Sequence, residues 1–180
     1  MGIPREPKPV KYTVSIIAIS DDMIHTVLEV LMEKLGEIDL KSELLPFNWT
    51  RYYEREMGPN LVRRFVSFCE LRKRDELKEI KLWTNDVELA FSLNGKRTVN
   101  IDPGYVGQHH LILATTKEAP HRPYLGKGIF ADLTLIFRNG RFEPLLWTYP
   151  DYASQDVRAF FERVRRVYLE KLRRKPWSSQ

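Results

Sequence analysis

Apolar residues recur along this chain with two periods, and each change of period marks a change of element. Residues 11–19 alternate around Val14, Ile16 and Ala18 among β-branched neighbours, the period of a strand. Ser20-Asp21-Asp22 follows as an N-cap with acidic residues for a first helical turn. Val27, Leu28, Leu31 and Leu35 then share one helical face and Gly36 supplies a stop, which predicts a helix over about 21–35. Residues 40–47, ended by Pro46, and Leu61–Leu71, with Val62, Phe65 and Phe68 as apolar contacts, read as two further strands. The aromatic run Trp49-Thr50-Arg51-Tyr52-Tyr53 joins them. Leu77, Ile80, Thr84, Val87 and Phe91 return to spacings of three and four, so Asp75–Phe91 is expected to be helical.

Asn94-Gly95 marks a turn before a short strand at Arg97–Ile101. Asp102-Pro103-Gly104 has proline and glycine where a type II turn requires them, and His110–Thr116 is another apolar strand. Residues 128–137 and 141–147 flank Arg138-Asn139-Gly140, whose Asn-Gly pair predicts a tight hairpin. After Tyr149-Pro150-Asp151 a last helix runs to about residue 173, with Val157, Phe160, Phe161, Val164, Tyr168 and Leu172 inward. The order predicts an α+β fold: a ferredoxin-like βαββαβ core extended by a C-terminal antiparallel meander and a final helix. One core is expected, shared by Val14, Ile16, Leu28, Leu31, Phe65, Phe68, Ile80, Val87, Ile112, Leu135 and Phe161. No repeat or long linker divides the chain, so 1–180 is read as a single domain, with a mobile end at 1–10 and a basic helix at 153–175.

Charge changes this picture at one place. The net charge of +5 lies entirely in residues 153–180, because 1–152 hold 21 basic and 21 acidic side chains. Arg158, Arg163, Arg165, Arg166, Lys171, Arg173, Arg174 and Lys175 there face only Asp156, Glu162 and Glu170. Such a run attracts phosphate backbones, or equally serves as the solvated end of a helix that complements its dipole. With 43% hydrophobic and 29% charged residues, the chain has apolar surface enough to fold alone. Many charges with few glutamines also match a thermophile-like composition. The single Cys69 among Phe65-Val66-Ser67-Phe68 reads as a small buried residue of a reducing compartment. No stretch approaches a membrane span, and Glu6 stands where a myristoylation signal has Ser or Thr. A cytoplasmic location without membrane contact is expected.

Several separate runs carry a resemblance: Tyr52-Tyr53-x-x-Glu56-Met57-Gly58, Lys81-x-x-Thr84-Asn85, Asn100-Ile101-Asp102-Pro103-Gly104-Tyr105, Leu113-Ala114-Thr115-Thr116-Lys117 with His121-Arg122, and Tyr149-Pro150-Asp151-Tyr152. Over nearly the whole length the chain resembles a family of uncharacterised bacterial proteins, a domain of unknown function sometimes loosely labelled "GTP-binding protein". The residues give that label no support. A phosphate loop requires Gly-x-x-x-x-Gly-Lys-Ser/Thr, whereas Leu125-Gly126-Lys127-Gly128 lacks the earlier glycine and the hydroxyl. Thr116-Lys117-Glu118-Ala119 ends in alanine where a guanine-reading carboxylate belongs.

Metal and nucleophile chemistry find no pattern either. His109 and His110 point to opposite faces of a strand, and His25 has only Asp21 and Asp22 at helical ligand spacing. Cys69 has no activating neighbour, and no Gly-x-Ser-x-Gly elbow occurs. What remains is a polar row, Lys81, Asn85 and Glu88, bordering the apolar stripe of the second helix. Arg97, Asn100, Asp102 and Tyr105 sit at a strand end, and Lys117, His121, Arg122 and Tyr124 on the loop after the next strand, where sites concentrate.

These groups are expected around one concave pocket. Lys81, Lys117 and Arg122 would hold an anion and Asn85 and Asn100 would orient it; Arg97, Tyr105 and Tyr124 count among the ligand-binding residues, the cations and tyrosines of the two loops suggesting an anionic or ring-bearing ligand. Glu88 or Asp102 would accept a proton or hold a metal through water, and His121 would act as acid or base. The same residues also suit a structural network, with Asp102 capping its own turn. Three functions stay open: binding of a small anionic, nucleotide-like ligand, enzymatic or not; weak nucleic-acid binding through the final helix with Trp49, Tyr52 and Tyr53; and a non-catalytic interaction surface. Cofactor and oligomeric state are left open.

Overall fold

The computed structural model describes residues 2–174. β1 (Val10–Ala18) is tethered at its start, since Lys8 O accepts from Arg74 Nε at 3.1 Å and Pro9 O from Tyr168 Oη at 2.9 Å. The end expected to be mobile over 1–10 is therefore tied down by residue 8. In α1 (Asp21–Leu35) Ser20 Oγ accepts from Met23 N, and Gly36 at φ 87° ends the helix. The strand expected at 40–47 is two pieces, β2 (Ile38–Lys41) and β3 (Leu45–Pro46). Between them Ser42 accepts the Phe65 amide with its side chain and donates its own amide to Phe65 O, interrupting the ladder.

The aromatic connection contains one unexpected helical turn, α2 (Glu54–Met57). β4 (Val62–Arg72) leads through a 3₁₀ turn at Arg74–Glu76 into α3 (Leu77–Ala90). Then come β5 (Val99–Val106), β6 (His110–Thr115), the short unexpected β7 (Tyr124–Gly126), β8 (Ile129–Arg138) and β9 (Arg141–Pro144). Asn139 at φ 51° and Gly140 at φ 80° make the tight hairpin that their sequence predicts. The chain closes with α4 (Pro150–Ala153) and α5 (Gln155–Arg174); Lys175, counted in the basic run, lies outside the described residues. Among the described residues no helix is long and apolar enough to cross a membrane.

The fold is α+β with one antiparallel sheet in the order β2-β4-β1-β5-β6-β8-β7, β3 pairing with β4 and β9 with β8. The residues that the sequence predicts to share a single core in fact fall into two clusters, and a third, smaller one holds Ile17, Phe47, Met57 and Leu61. Phe65 and Val66, adjacent on β4, enter different ones of the first two, so these lie on opposite faces of the sheet. α1 and α3, the latter through Ile80, cover Val14, Ile16 and Phe68 on one face; α5, through Phe161, covers Phe65 and Leu135 on the other. Strand alternation gives two faces but does not say which helix covers each.

One further expectation fails, and the failure shapes the site. Asp102-Pro103-Gly104 is not a turn: β5 runs straight through it, paired with β1 from Lys11↔Val106 to Ala18↔Val99. β6 joins β5 only over Gly104↔Leu113 to Val106↔Leu111, while it stays paired with β8 along its whole length. At Gly104 the two strands touch so closely that a Cβ would sit 2.4 Å from Ile112 O. Immediately before it, Pro103 turns a nitrogen without hydrogen toward the edge that β6 has left, so no donor is orphaned there. The sheet parts at this point, between the first half of β5 and the second half of β6.

Candidate functional site

The parting of β5 from β6 opens a cavity of about 530 Å³. Ile101, in the unpaired half of β5, would leave an amide and a carbonyl bare at its edge, and α3 supplies what β6 does not. Glu88 Oε1 accepts from Ile101 N at 2.7 Å, and Lys81 Nζ donates to Ile101 O at 2.9 Å and to Asp102 Oδ1 at 3.1 Å. Spaced seven residues apart on one helical face, the two side chains stand in for a strand ladder. That role explains why both are only 5% exposed.

The rest of the charge is built onto this frame. Arg97 donates to both oxygens of Glu56, to Glu88 Oε2 at 3.0 Å and to Asn100 Oδ1 at 3.1 Å, and Asn100 Nδ2 donates to Asp102 Oδ2 at 2.7 Å. Across the cavity Arg63 is buried against Phe65 and Tyr152, its Nε on Ser15 Oγ and its Nη1 on Asp151. The hydrogen bond with Glu56 is the main reason that Arg97 is held above its ordinary value. Burial pushes Glu88 up in spite of Lys81 and the Ile101 amide. Burial works the same way on Asp102, but the charge and hydrogen bond of Lys81, with Asn100, outweigh it and hold the carboxyl below its usual range.

Aromatic side chains form the remaining wall and mouth: Phe47, Trp49, Tyr52, Tyr53, Tyr149 and Tyr152. Lys117 Nζ lies 4.3 Å from the centre of the Tyr52 ring and has no carboxylate partner among the described residues. Asn85, half-buried on α3, lines the cavity, and its amide makes no hydrogen bond to any described residue.

Of the residues singled out from the sequence, Lys81, Asn85, Glu88, Arg97, Asn100, Asp102 and Lys117 come together around this one space. Four do not line it. Tyr105 differs in parity from Asn100 and Asp102, so it turns to the other face, against Tyr12 and His110. Tyr124 is exposed on its hairpin, packed on Phe130 with its hydroxyl on Gly128 N. His121 stacks on Trp147 at 4.8 Å, and its Nε2 reaches no nearer to Asp132 than 3.7 Å. Arg122 stands behind the lining and braces it, through Asp132 at 2.7 Å, Lys117 O at 3.0 Å and Tyr149 Oη at 2.8 Å. Lys127, in the glycine-flanked run, is paired with Glu79 on a surface hairpin.

Sequence reasoning missed Arg63, Glu56, Asp151, Tyr152 and Asp132. For Arg63 a signal existed, since it shares strand parity with Phe65 and therefore faces the core. Glu56 and the Asp151-Tyr152 pair stand in two of the runs that carry the family resemblance, but no local period connects them to α3. On α5, Arg158, Arg165 and Lys171 are taken up inside the molecule, by Ala153 O and Phe142 O, by Gln108 O, and by Asp39. Arg163, Arg166, Arg173 and Arg174 are left exposed. A family model described as "Domain of unknown function (DUF4416)" matches residues 8–168. No curated protein and no solved structure matches the chain.

Proposed function

The chain belongs to that family of domains of unknown function, and we propose that its cavity binds a small, ring-bearing anion of low charge. One observation carries the reading: where the sheet parts, a space of ligand size is framed by fixed ion pairs and walled by aromatic rings, while the side chains of Asn85 and Lys117 on its surface have no hydrogen-bond or ionic partner among the described residues. Asn85 would orient the ligand through its unengaged amide, and Lys117 would balance its charge. The rings of Trp49, Tyr52 and Tyr149 at the mouth suit a planar group.

Charge balance sets the ligand class. The lining holds four cations, Arg63, Lys81, Arg97 and Lys117, and four carboxylates, Glu88, Asp102, Asp132 and Asp151. Three of the cations are already paired with carboxylates. The lining charges already cancel, so a triphosphate would bring several negative charges against a single unpaired lysine, whereas a monoanion brings one, which that lysine can pair. Binding is favoured over acid–base chemistry because each oxygen of Glu88 and Asp102 already accepts a hydrogen bond.

The test is to identify by mass spectrometry any compound released on denaturing the purified protein, and to titrate it, or a panel of aromatic carboxylates and nucleoside monophosphates, by calorimetry. Asn85→Ala and Lys117→Ala are each expected to weaken binding about tenfold, the worth of one polar contact. Equal affinity in wild type and both variants would refute the assignment.

A further inference from the structure

Two donors that line the cavity, one in each of two buried side chains, have no acceptor among the described residues. Arg63 is 3% exposed; its Nε and Nη1 are engaged by Ser15 and Asp151, and its Nη2 makes no hydrogen bond to any described residue. Tyr152 is also 3% exposed, and its hydroxyl meets no hydrogen-bond geometry with any described residue. Ser15 Oγ is near enough to counter in part the upward push of burial on that hydroxyl, and it already accepts from Arg63. The guanidinium lies 4.8 Å from the centre of the Tyr152 ring, so the two donors belong to one place. A buried hydroxyl without a partner is destabilising, and its persistence next to an unfilled guanidinium nitrogen points to an acceptor supplied from outside.

The surroundings say what kind of acceptor. Arg63 is already neutralised by Asp151, and the charge of Asp102 also reaches both Arg63 and Tyr152. A full anion here would sit between two carboxylates whose cations, Arg63 and Lys81, are already paired with them. A carbonyl oxygen accepts from both donors and adds no net charge to a dry place. The flanking rings, Phe47 at 5.4 Å from the guanidinium and Tyr152 itself, favour a flat group carrying that oxygen.

We propose that Arg63 and Tyr152 form a carbonyl-recognition subsite, which receives the exocyclic oxygen of an oxo-substituted ring while the ligand's anionic group lies toward Lys117. The proposal rests on the cavity being a site for ring-bearing anions, and narrows its ligand to oxo-heterocycles.

Tyr152→Phe removes one oxygen that no protein group uses and keeps the ring stacked on Phe161. The probes are nicotinate and the corresponding pyridone carboxylate, two ring-bearing monoanions that differ by one exocyclic oxygen, titrated to millimolar concentration with protein NMR as readout. Wild type is expected to prefer the pyridone about tenfold. In Tyr152→Phe that preference should shrink severalfold while the melting temperature is unchanged or higher. Equal affinities in wild type, or a preference undiminished in Tyr152→Phe, would overturn the subsite and leave the cavity reading standing. Binding of neither probe would overturn both.

Discussion

The cavity and the outer face of α5 are both rich in charge, and they use it in opposite ways. At the cavity, Lys81 and Glu88 are withdrawn from water and bonded to the edge of a parted sheet, and the half-buried Asp102 and Arg97 are paired with them. On α5, Arg163, Arg166, Arg173 and Arg174 stand in solvent, where screening leaves each of them little influence on folding. The sequence makes α5 the more conspicuous of the two, since its run of cations is contiguous and unopposed. Desolvation makes the cavity the more consequential, because a group buried without its partner is strongly destabilising while an exposed arginine can be removed freely.

The largest expected effect follows from that contrast. Lys81→Ala leaves Asp102 and Ile101 O without their buried donor and should destabilise the fold by about 3–5 kcal/mol in urea denaturation. Arg173→Ala with Arg174→Ala should change stability by no more than about 0.5 kcal/mol. Similar losses from both would erase the distinction.

A second effect lies in pH dependence, and its sign differs between two carboxylates of one network. Glu88 is held above its ordinary value, about 4.3, chiefly by burial. Its contribution is present below that value and is lost as pH rises through the raised pKa. Asp102 is held below its ordinary value, about 3.9, where Lys81 and Asn100 overcome the effect of burial. Its contribution is present above that value and is lost as pH falls through the lowered pKa. Denaturation against pH should therefore show Glu88→Gln gaining on wild type as pH rises past 4.3, about the ordinary glutamate value. Asp102→Asn should narrow its deficit only as pH falls below about 3.9. Parallel curves for both variants would contradict the network.

The smallest effect concerns the α5 face itself. Any binding of single- or double-stranded nucleic acid should be weak, fall steeply with salt, and disappear when Arg163, Arg166, Arg173 and Arg174 are replaced by alanine. Arg165 is left out because it lies 3.4 Å from the centre of the Phe137 ring and serves the fold. Submicromolar, sequence-selective binding measured by fluorescence anisotropy at physiological salt would make α5 the functional surface instead.

What could be read from the sequence follows the range of the forces involved. The Lys81, Asn85 and Glu88 row was legible because a helical period fixes which residues share a face. The Asn139-Gly140 hairpin was legible because two residues determine it. Asp102-Pro103-Gly104 was misread because pairing with β1, far away in sequence, overrides a local turn preference. The departure of β6 from the same edge then removes the usual objection to a proline inside a sheet. The β5–β6 parting has no local signature at all, so neither the cavity nor the approach of Arg63 and Tyr152 to Asp102 could be anticipated. His121 and Arg122 were placed near the site by their loop, but Asp132 and Trp147 turn them into its support.

The central claim is that the space left by β6 is occupied by a ligand. Asn85→Trp fills it from a half-buried position that no protein hydrogen bond uses. The direct measurement is native mass spectrometry of wild type, Asn85→Trp and the four-arginine α5 variant, each incubated with the same panel of ring-bearing anions. A ligand retained by wild type and the α5 variant but lost from Asn85→Trp, at unchanged melting temperature, is the predicted result. A ligand retained equally by Asn85→Trp, or no ligand on the wild-type protein, would contradict the claim.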